Sequence, residues 1–293
     1  MFAHTRTTGH HLHLRALGAA ALLSFGAATT GAAPAQPTSL AVAALKGAHV
    51  LPFAVGERLT YTVRIPSAWM SGRGVMSVDS LADIRGTQTW VLHFEFKAKV
   101  GPVKASSDET SWLDPLRLAA LQFQKRERSP LGKDDETVEL FPAEKRWLTT
   151  DGKNGTSPSD APLDELSFIY FVRTLPLAPD TTYTFDRHFD VARNPITVRV
   201  VRRDTLTTPA GPVATILVEM RVKDPRHYRG DGVISINLSD DAERVPVRIA
   251  STIPGIGTTI FTLESRTTAA PTAAPAAPAA SRVSAPAATA SPR

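Results

Sequence analysis

The sequence predicts a mostly β protein, with antiparallel, strongly curled sheets in a half-barrel or barrel-like architecture and one short helix at about residues 162–175. Three observations predict this fold. Apolar residues recur at every second position through most of the chain, turn-forming residues separate these runs, and one segment between two prolines has helical spacing. Alternation gives each strand an apolar and a polar face, which is typical of antiparallel sheets covered on one side.

The alternation is clearest in Glu57–Ile65 and Thr89–Lys99. The same period predicts further strands at Val75–Ile84, Leu116–Lys125, Thr137–Phe141, Thr182–Phe189, Ile196–Val201, Pro212–Val222, Gly232–Ser239, Val245–Ala250 and Thr258–Leu263. Turn sequences such as Arg85-Gly86 and Thr208-Pro209-Ala210-Gly211 separate them. About a dozen short strands predict a sandwich, a barrel or a curled sheet.

The predicted helix lies between Pro162 and Pro176. Proline in the first turn, Asp164 and Glu165 at the positive end and Arg173 in the last turn are helix signals. Four residues share one face at helical spacing: Leu163, Leu166, Tyr170 and Arg173. Because this helix is so apolar, we expect it to pack against the sheet, where it would fill or cross the concave side.

The ends of the chain predict export. Residues 1–35 resemble a secretory signal peptide, whose apolar stretch Ala16–Ala28 is too short for a membrane span, although an uncleaved anchor is the alternative. Residues 36–50 are expected to be a linker, 51–265 a single β-rich domain or two β-lobes, and 266–293 a disordered Ala/Pro-rich tail. No later apolar run is long enough to cross a membrane, so the mature chain is expected to be soluble. Together with the leader, this predicts that the protein is located in the periplasm.

The composition excludes several kinds of site and partner. The chain has no cysteine, which excludes disulfides, thiolate metal sites and the lipid-bearing cysteine of a lipoprotein. The formal charge of +5 comes from the predicted leader and tail, which hold Arg6, Arg15, Arg266, Arg282 and Arg293. The body therefore carries no net charge, and no nucleic-acid partner is expected.

Candidate catalytic and metal groups are scattered. His49, His93, His188 and His227 lack the spacing of a zinc motif, and His93 is expected to face solvent. Acidic clusters are expected at turns or loop edges: Asp108-Glu109, Asp134-Asp135-Glu136 and Asp240-Asp241. The last of these is followed by Arg244 and Arg248, with which it could form a structural ion-pair network.

Nucleophilic and phosphate-binding motifs are also missing from the sequence. Ser167 lies in no nucleophile elbow and is expected to be a surface or packing residue. Ser71-Gly72-Arg73-Gly74 lacks the pattern of a phosphate loop and is expected to form a tight bend or bulge. We therefore expect a non-enzymatic protein with no catalytic residues, no cofactor and no metal.

Aromatic residues form the one candidate binding site. An ordinary core is the simplest interpretation of them. The alternative is an apolar cavity within a curled sheet, which could shelter a lipid-like ligand. The residues predicted to contact such a ligand are Trp69, Trp90, Phe94, Phe96 and Tyr170.

Five segments, in this order along the chain, match a known pattern: Pro52–Tyr61, Ser111–Pro115, Asp164–Arg173, Thr208–Gly211 and Ser239–Val247. Together they resemble the bacterial envelope proteins catalogued as domain of unknown function 3108. The family often has Trp where this chain has Asn237, and Glu where it has Asp204 or Thr205. The resemblance implies an exported, β-rich, non-enzymatic protein and carries no catalytic residue over.

Two functions follow as hypotheses. The first is a periplasmic carrier or binding module for an apolar, lipid-like envelope component. The second is a structural or assembly factor that contacts other envelope proteins. A hydrolase with dispersed catalytic residues is a third alternative. An empty apolar interior would favour the carrier, and a packed interior would favour the assembly factor.

Overall fold

A computed structural model describes residues 51–130, 132–208, 211–255 and 257–268. The predicted leader and linker, and the predicted tail beyond residue 268, lie outside the described residues.

The described chain contains fourteen strands in one antiparallel sheet and one α-helix. The strands are β1 (Arg58–Ile65), β2 (Met70–Ile84), β3 (Thr87–Val100), β4 (Val103–Asp114), β5 (Ala119–Ser129), β6 (Gly132–Phe141), β7 (Arg146–Thr149), β8 (Asn154–Thr156), β9 (Thr182–Phe185), β10 (Ile196–Thr208), β11 (Gly211–Lys223), β12 (Asp231–Ser239), β13 (Pro246–Ile253) and β14 (Gly257–Thr267). The helix, α1, spans Glu165–Arg173 between β8 and β9. The predicted mostly β, antiparallel fold with one helix is confirmed.

The sheet is built from two meanders. Strands β1 to β8 pair in sequence order from the middle of the sheet to one edge, and β9 to β14 pair in order from the other edge back to the middle. The pairing of β1 with β14, from Arg58 opposite Thr267 to Arg64 opposite Ile260, joins the two meanders. Connections between neighbours are mostly short hairpins, so the chain needs only one long crossover, which contains α1.

The sheet is open and not strongly curled, so the predicted strongly curled, half-barrel or barrel-like architecture is not what the structure shows. The edge strands β8 and β9 do not pair with each other. An isolated parallel bridge between Leu163 and His188 links the segments that follow them. The alternating pattern could not reveal this, because it predicts which side chains are covered and not which edges meet.

One face of the sheet packs against α1, and we call it the inner face. Its buried side chains form a single apolar core that draws on both meanders, with Leu59 and Tyr61 from β1, Phe123 from β5, and Val218 from β11. The alternation that predicted β1 is visible as alternating burial along its length. The helix lies against β3 and β4 and buries all but two of its nine residues.

Helix α1 begins later than Pro162 and ends before Pro176. Asp164 is its N-cap, with a side chain that accepts hydrogen bonds from the backbone N–H groups of Leu166 and Ser167 at 3.0 and 2.9 Å. Because this carboxylate satisfies the free amides, the helix starts at Glu165. The predicted face is confirmed as buried.

Two predictions about the first meander were wrong. Strand β4 was missed, as were the short β7 and β8, and the inner face of β4 carries Ser107, Glu109 and Ser111 in succession. Ser71–Gly74 forms regular pairs with β1 and β3 and not a bend. Gly72 is required there, because an added Cβ would lie 1.8 Å from the carbonyl oxygen of Lys97.

The last strand runs to Thr267, two residues past the predicted boundary at 265. Within the described residues, no helix has the length and apolar character that a membrane span requires.

Candidate functional site

Two of the predicted ligand-binding residues meet through a third aromatic ring. Phe53, which precedes β1, packs edge-on against Trp90 of β3 at 5.7 Å between ring centroids and against Tyr170 of α1 at 4.8 Å. Tyr170 is fully buried, and burial raises the pKa of its hydroxyl well above the ordinary value. These three rings thus pack together between helix and sheet.

Phe94 and Phe96 form a second group on the inner face of β3. Their centroids are 6.2 Å apart, and both rings contact Phe261 of β14, at 5.4 and 5.6 Å. Both are half-buried and pack against the edge of the core. This group is separate from the rings around Phe53.

Trp69 joins neither group. It ends the short 3₁₀ turn Pro66–Ala68 between β1 and β2, and it is 88% exposed. The structure therefore divides the five predicted residues among two internal clusters and one exposed position.

The C-terminal end of α1 is fixed by a buried ion pair. Arg173 donates to both carboxylate oxygens of Glu57, at 2.6 and 2.9 Å. Its guanidinium also lies 5.0 Å from the ring centre of Phe53 and 5.5 Å from that of Tyr170. The pair connects the helix to the start of β1, and the sequence signal for it was Arg173 on the apolar face of the helix.

The N-terminal end of α1 holds a buried carboxyl group. Asp164 accepts a hydrogen bond from the hydroxyl of Ser111 on β4 at 2.6 Å, and its own N–H donates to Ser167 Oγ at 2.9 Å. Burial raises the pKa of Asp164 to about 7, even though these hydrogen bonds favour the charged form. Ser167 thus completes a capping box and is buried. Of the two environments predicted for it, surface or packing, the structure shows the second.

A chain of ion pairs joins the two meanders beside this cap. Glu165 binds Arg193 and Arg193 binds Asp224 at 2.8 Å. Arg226, in the connection from β11 to β12, reaches Glu136 of β6 at 3.2 Å. Burial alone would raise the pKa of Glu165, but Arg193, His188 and Lys125 together outweigh burial and hold that pKa well below its usual range.

Glu109 of β4 is the second carboxyl group with a raised pKa. Burial raises that pKa to about 7, while nearby Lys125 opposes the shift. Its side chain accepts a hydrogen bond from Ser107 at 3.0 Å. The clusters predicted at turns or loop edges are thus in strands in two cases, since Asp108-Glu109 lies in β4 and Asp134–Glu136 in β6.

Carboxyl groups with a pKa near neutrality can exchange protons, but Asp164 is engaged by Ser111 and the helix cap, and one oxygen of Glu109 accepts from Ser107. The histidines do not add a metal site: the described residues contain no group of His, Asp and Glu that could hold an ion. His93 is half-buried near Asp79 and Asp108, at 3.5 and 3.8 Å. The third acidic cluster behaves as predicted in part, since Asp240 binds Arg203 at 2.8 Å and Arg244 at 3.3 Å.

Two open grooves lie on the surface of the described chain. One, of about 470 Å³, is lined by Thr62, Val63, Arg64, Ser71, Gly72, Arg73 and Lys99. The other, of about 360 Å³, is lined by Ala192, Lys223, Pro225, Tyr228, Arg229, Gly230 and Asp231. Neither is lined by the predicted aromatic residues.

Fold and site together define an antiparallel β protein with one buried, ion-paired helix. The model of the family described as protein of unknown function (DUF3108) matches residues 58–264. The chain belongs to this family, as the resemblance of its five segments indicated.

Solved structures with similarity to the chain are distant. A β-barrel-like protein of domain of unknown function DUF1849 from Brucella abortus aligns with a TM-score of 0.48 and 11% identity, over 74% of this chain and 98% of that one. An exported-type protein with a YmcC-like fold from Bacteroides fragilis gives 0.32 and 13%, over 74% and 98%. A DUF1089 family protein from Pseudomonas aeruginosa gives 0.27 and 11%, over 72% and 96%. No curated protein sequence matches the chain.

Proposed function

We propose that this protein is an exported, non-enzymatic factor of the cell envelope that acts through contacts of its outer surface with other proteins. The observation that carries this proposal is the filled inner face. Tyr61, Phe123, Phe168 and Tyr170 are completely buried there, and neither of the two surface grooves is lined by a residue of α1. A protein whose interior is occupied by its own side chains has its surface left for recognition.

The buried polar groups support a structural role. Glu57 and Arg173 hold one end of α1, while Asp164 and the ion pairs of Glu165 and Arg193 hold the other. Their ion pairs and hydrogen bonds fix the helix between the two meanders. An enzyme would need such groups to face a cleft that a substrate can enter.

The proposed location in the periplasm rests on the sequence. The leader at residues 1–35 supports export to the periplasm, and the absence of cysteine excludes attachment as a lipoprotein. The Ala/Pro-rich segment after residue 268 would serve as a spacer towards a partner.

A carrier of an apolar envelope component is the second candidate, favoured by one observation. Phe94 and Phe96 face the inner side and are half-buried, so an acyl chain could contact them without entering the packed core. Binding a whole lipid would require α1 to move and the sheet to curl around the ligand. The buried pair of Glu57 and Arg173 opposes that movement.

Photo-crosslinking in living cells tests the assembly role. A photoreactive amino acid would replace Leu116, which is 91% exposed, or Val191, which is 52% exposed. Thr205, an exposed polar position on β10, is the matched control. We expect crosslinks to envelope proteins from at least one apolar position and none from the control; recovery of monomer alone from all three would contradict the proposal.

A further inference from the structure

One end of the sheet combines unpaired positive charges with exposed apolar side chains. This end, which we call the Trp69 end, consists of residues 66–69 between β1 and β2, residues 100–103 between β3 and β4, and the adjoining Arg64, Lys99 and Lys104. The described chain begins and finishes at the opposite end, where Arg58 pairs with Thr267. The two ends of the described chain therefore lie away from the Trp69 end.

The three cations lie in one row across the outer face. Arg64 of β1 is opposite Ser71 of β2, Ser71 is opposite Lys99 of β3, and Lys99 is opposite Lys104 of β4. With strands about 4.8 Å apart, the row spans about 14 Å. All three are exposed, and none has an ion pair with a described acidic residue.

In the next row of the sheet, the cations are neutralised by ion pairs. There Arg73 binds Glu264 at 2.9 Å and Lys97 binds Glu95 at 3.0 Å. Like charges placed directly opposite each other, as Lys99 and Lys104 are, destabilise a sheet. The terminal row therefore keeps a concentration of positive charge that the fold itself does not require.

Trp69 is also not required by the turn in which it lies. Its backbone is left-handed, with φ of 54°, a conformation that is unfavourable for a bulky residue. The turn between β6 and β7 has the same design: Pro142 starts it, Lys145 ends it with φ of 50°, and the N–H of that last residue donates to the proline carbonyl oxygen in both turns, at 3.2 and 3.1 Å. A lysine therefore satisfies this geometry, and the exposed indole has no packing partner that explains it.

Val100 and Val103, 40% and 42% exposed, add apolar surface at the same extremity. We infer that the Trp69 end docks on an anionic phospholipid membrane surface. Tryptophan is enriched at the headgroup level of membranes, and lysine and arginine just behind it attract anionic lipids. The open groove bordered by Arg64, Arg73 and Lys99 offers a place for headgroup phosphates.

This inference adds a membrane contact to the protein contacts of the proposed function and does not depend on them. Flotation with vesicles tests it, using phosphatidylethanolamine with one third phosphatidylglycerol against pure phosphatidylcholine at about 0.15 M salt. We expect the protein to float with the anionic vesicles and to stay behind with the neutral ones. Equal binding to both, or to neither, would overturn the inference.

Variants locate the binding. Replacing Arg64, Lys99 and Lys104 with glutamine should weaken binding by about 100-fold, since each cation near an anionic surface contributes about fivefold. The matched control replaces three exposed cations at the opposite end of the sheet that form no ion pair with a described residue, Arg58, Arg117 and Lys145, with glutamine and should bind as the wild type does. Equal loss in both triple variants would show non-specific charge attraction and contradict the assignment.

Trp69→Lys separates insertion from attraction. Because Lys145 occupies the equivalent turn, this variant should fold normally, which its thermal unfolding would check. It should still bind anionic vesicles but lose the fluorescence change that the wild-type indole shows on entering the headgroup region. An unchanged signal would mean that Trp69 does not touch the membrane. Crosslinks to proteins from Leu116 or Val191 would persist if only the membrane contact were wrong.

Discussion

Arg173, the last residue of the helix, is locked to Glu57, which immediately precedes the first strand, although 116 positions separate them in sequence. Both side chains are at most 1% exposed. Arg173 also donates to the carbonyl oxygens of Pro52 and Glu243, at 2.9 and 3.1 Å. One guanidinium thus ties the helix to the start of β1 and to the turn before β13.

Breaking this pair on one side should be costly. Glu57→Gln removes the compensating charge and leaves Arg173 buried, so we expect the free energy of unfolding to fall by about 3–5 kcal/mol, measured by urea denaturation. Arg266→Gln is the control, because Arg266 touches Glu57 more distantly, at 3.4 Å, and is partly exposed. A cost for Glu57→Gln no larger than that of the control would show that the pair is not buried in solution.

Asp164 should make stability depend on pH. Its pKa rises from 3.8 to about 7 on folding because the carboxyl group is buried, so the folded protein holds this proton more tightly than the unfolded chain does. Stability from this group is therefore present below about pH 4 and is lost as the pH rises to about 7.

Asp164→Asn keeps a capping side chain without the titration. Between pH 4 and 7 the wild type should lose on the order of 3 kcal/mol relative to this variant, with urea denaturation at each pH as the measurement. Glu109, whose pKa also rises to about 7, is present in both proteins and cancels in the difference. Parallel stability profiles of the two proteins would contradict the burial of Asp164.

Gly72 and Gly74 should differ in their tolerance of a methyl group. An added Cβ would lie 1.8 Å from the Lys97 carbonyl oxygen at Gly72, but 3.2 Å from the Glu95 carbonyl oxygen at Gly74. Gly72→Ala must push β2 away from β3, and we expect a loss of at least about 3 kcal/mol against about 1 kcal/mol for Gly74→Ala. Thermal unfolding measures both, and equal losses would disprove the close approach at Gly72.

Replacing Lys104 should raise the stability of the protein and weaken its binding to membranes. Lys104→Glu replaces a like-charge pair with an ion pair to Lys99, directly across from it in the β3–β4 ladder. Stability should rise by about 0.5 kcal/mol, while flotation with anionic vesicles should weaken. If the variant is more stable and still binds anionic vesicles fully, Lys104 does not take part in the membrane contact.

The sequence was most informative where one local rule governed the outcome. Alternation in β1 and β3 placed those strands within a few residues, and the helix followed from Asp164, the apolar face and Arg173. Strand β4 was missed because Ser107, Glu109 and Ser111 occupy inner positions that a simple strand would fill with apolar residues. Their burial depends on Asp164 and Lys125, which arrive from α1 and β5.

The site was harder to predict for the same reason. Composition identified aromatic residues but not their partners, so Trp69 was grouped with Trp90 although one is exposed and the other packs on Phe53. The row of Arg64, Lys99 and Lys104 depends on strand register across four strands, which no local pattern records. Whether the edges of a sheet meet is likewise a long-range property.

Native mass spectrometry of the protein purified from its bacterial host, combined with solvent extraction, tests the filled interior most directly. With side chains occupying the space between α1 and the sheet, the measured mass should equal that of the polypeptide alone, and the extract should contain no stoichiometric lipid. One lipid retained per chain, released only when the protein unfolds, would show that the interior opens for a ligand and would restore the carrier.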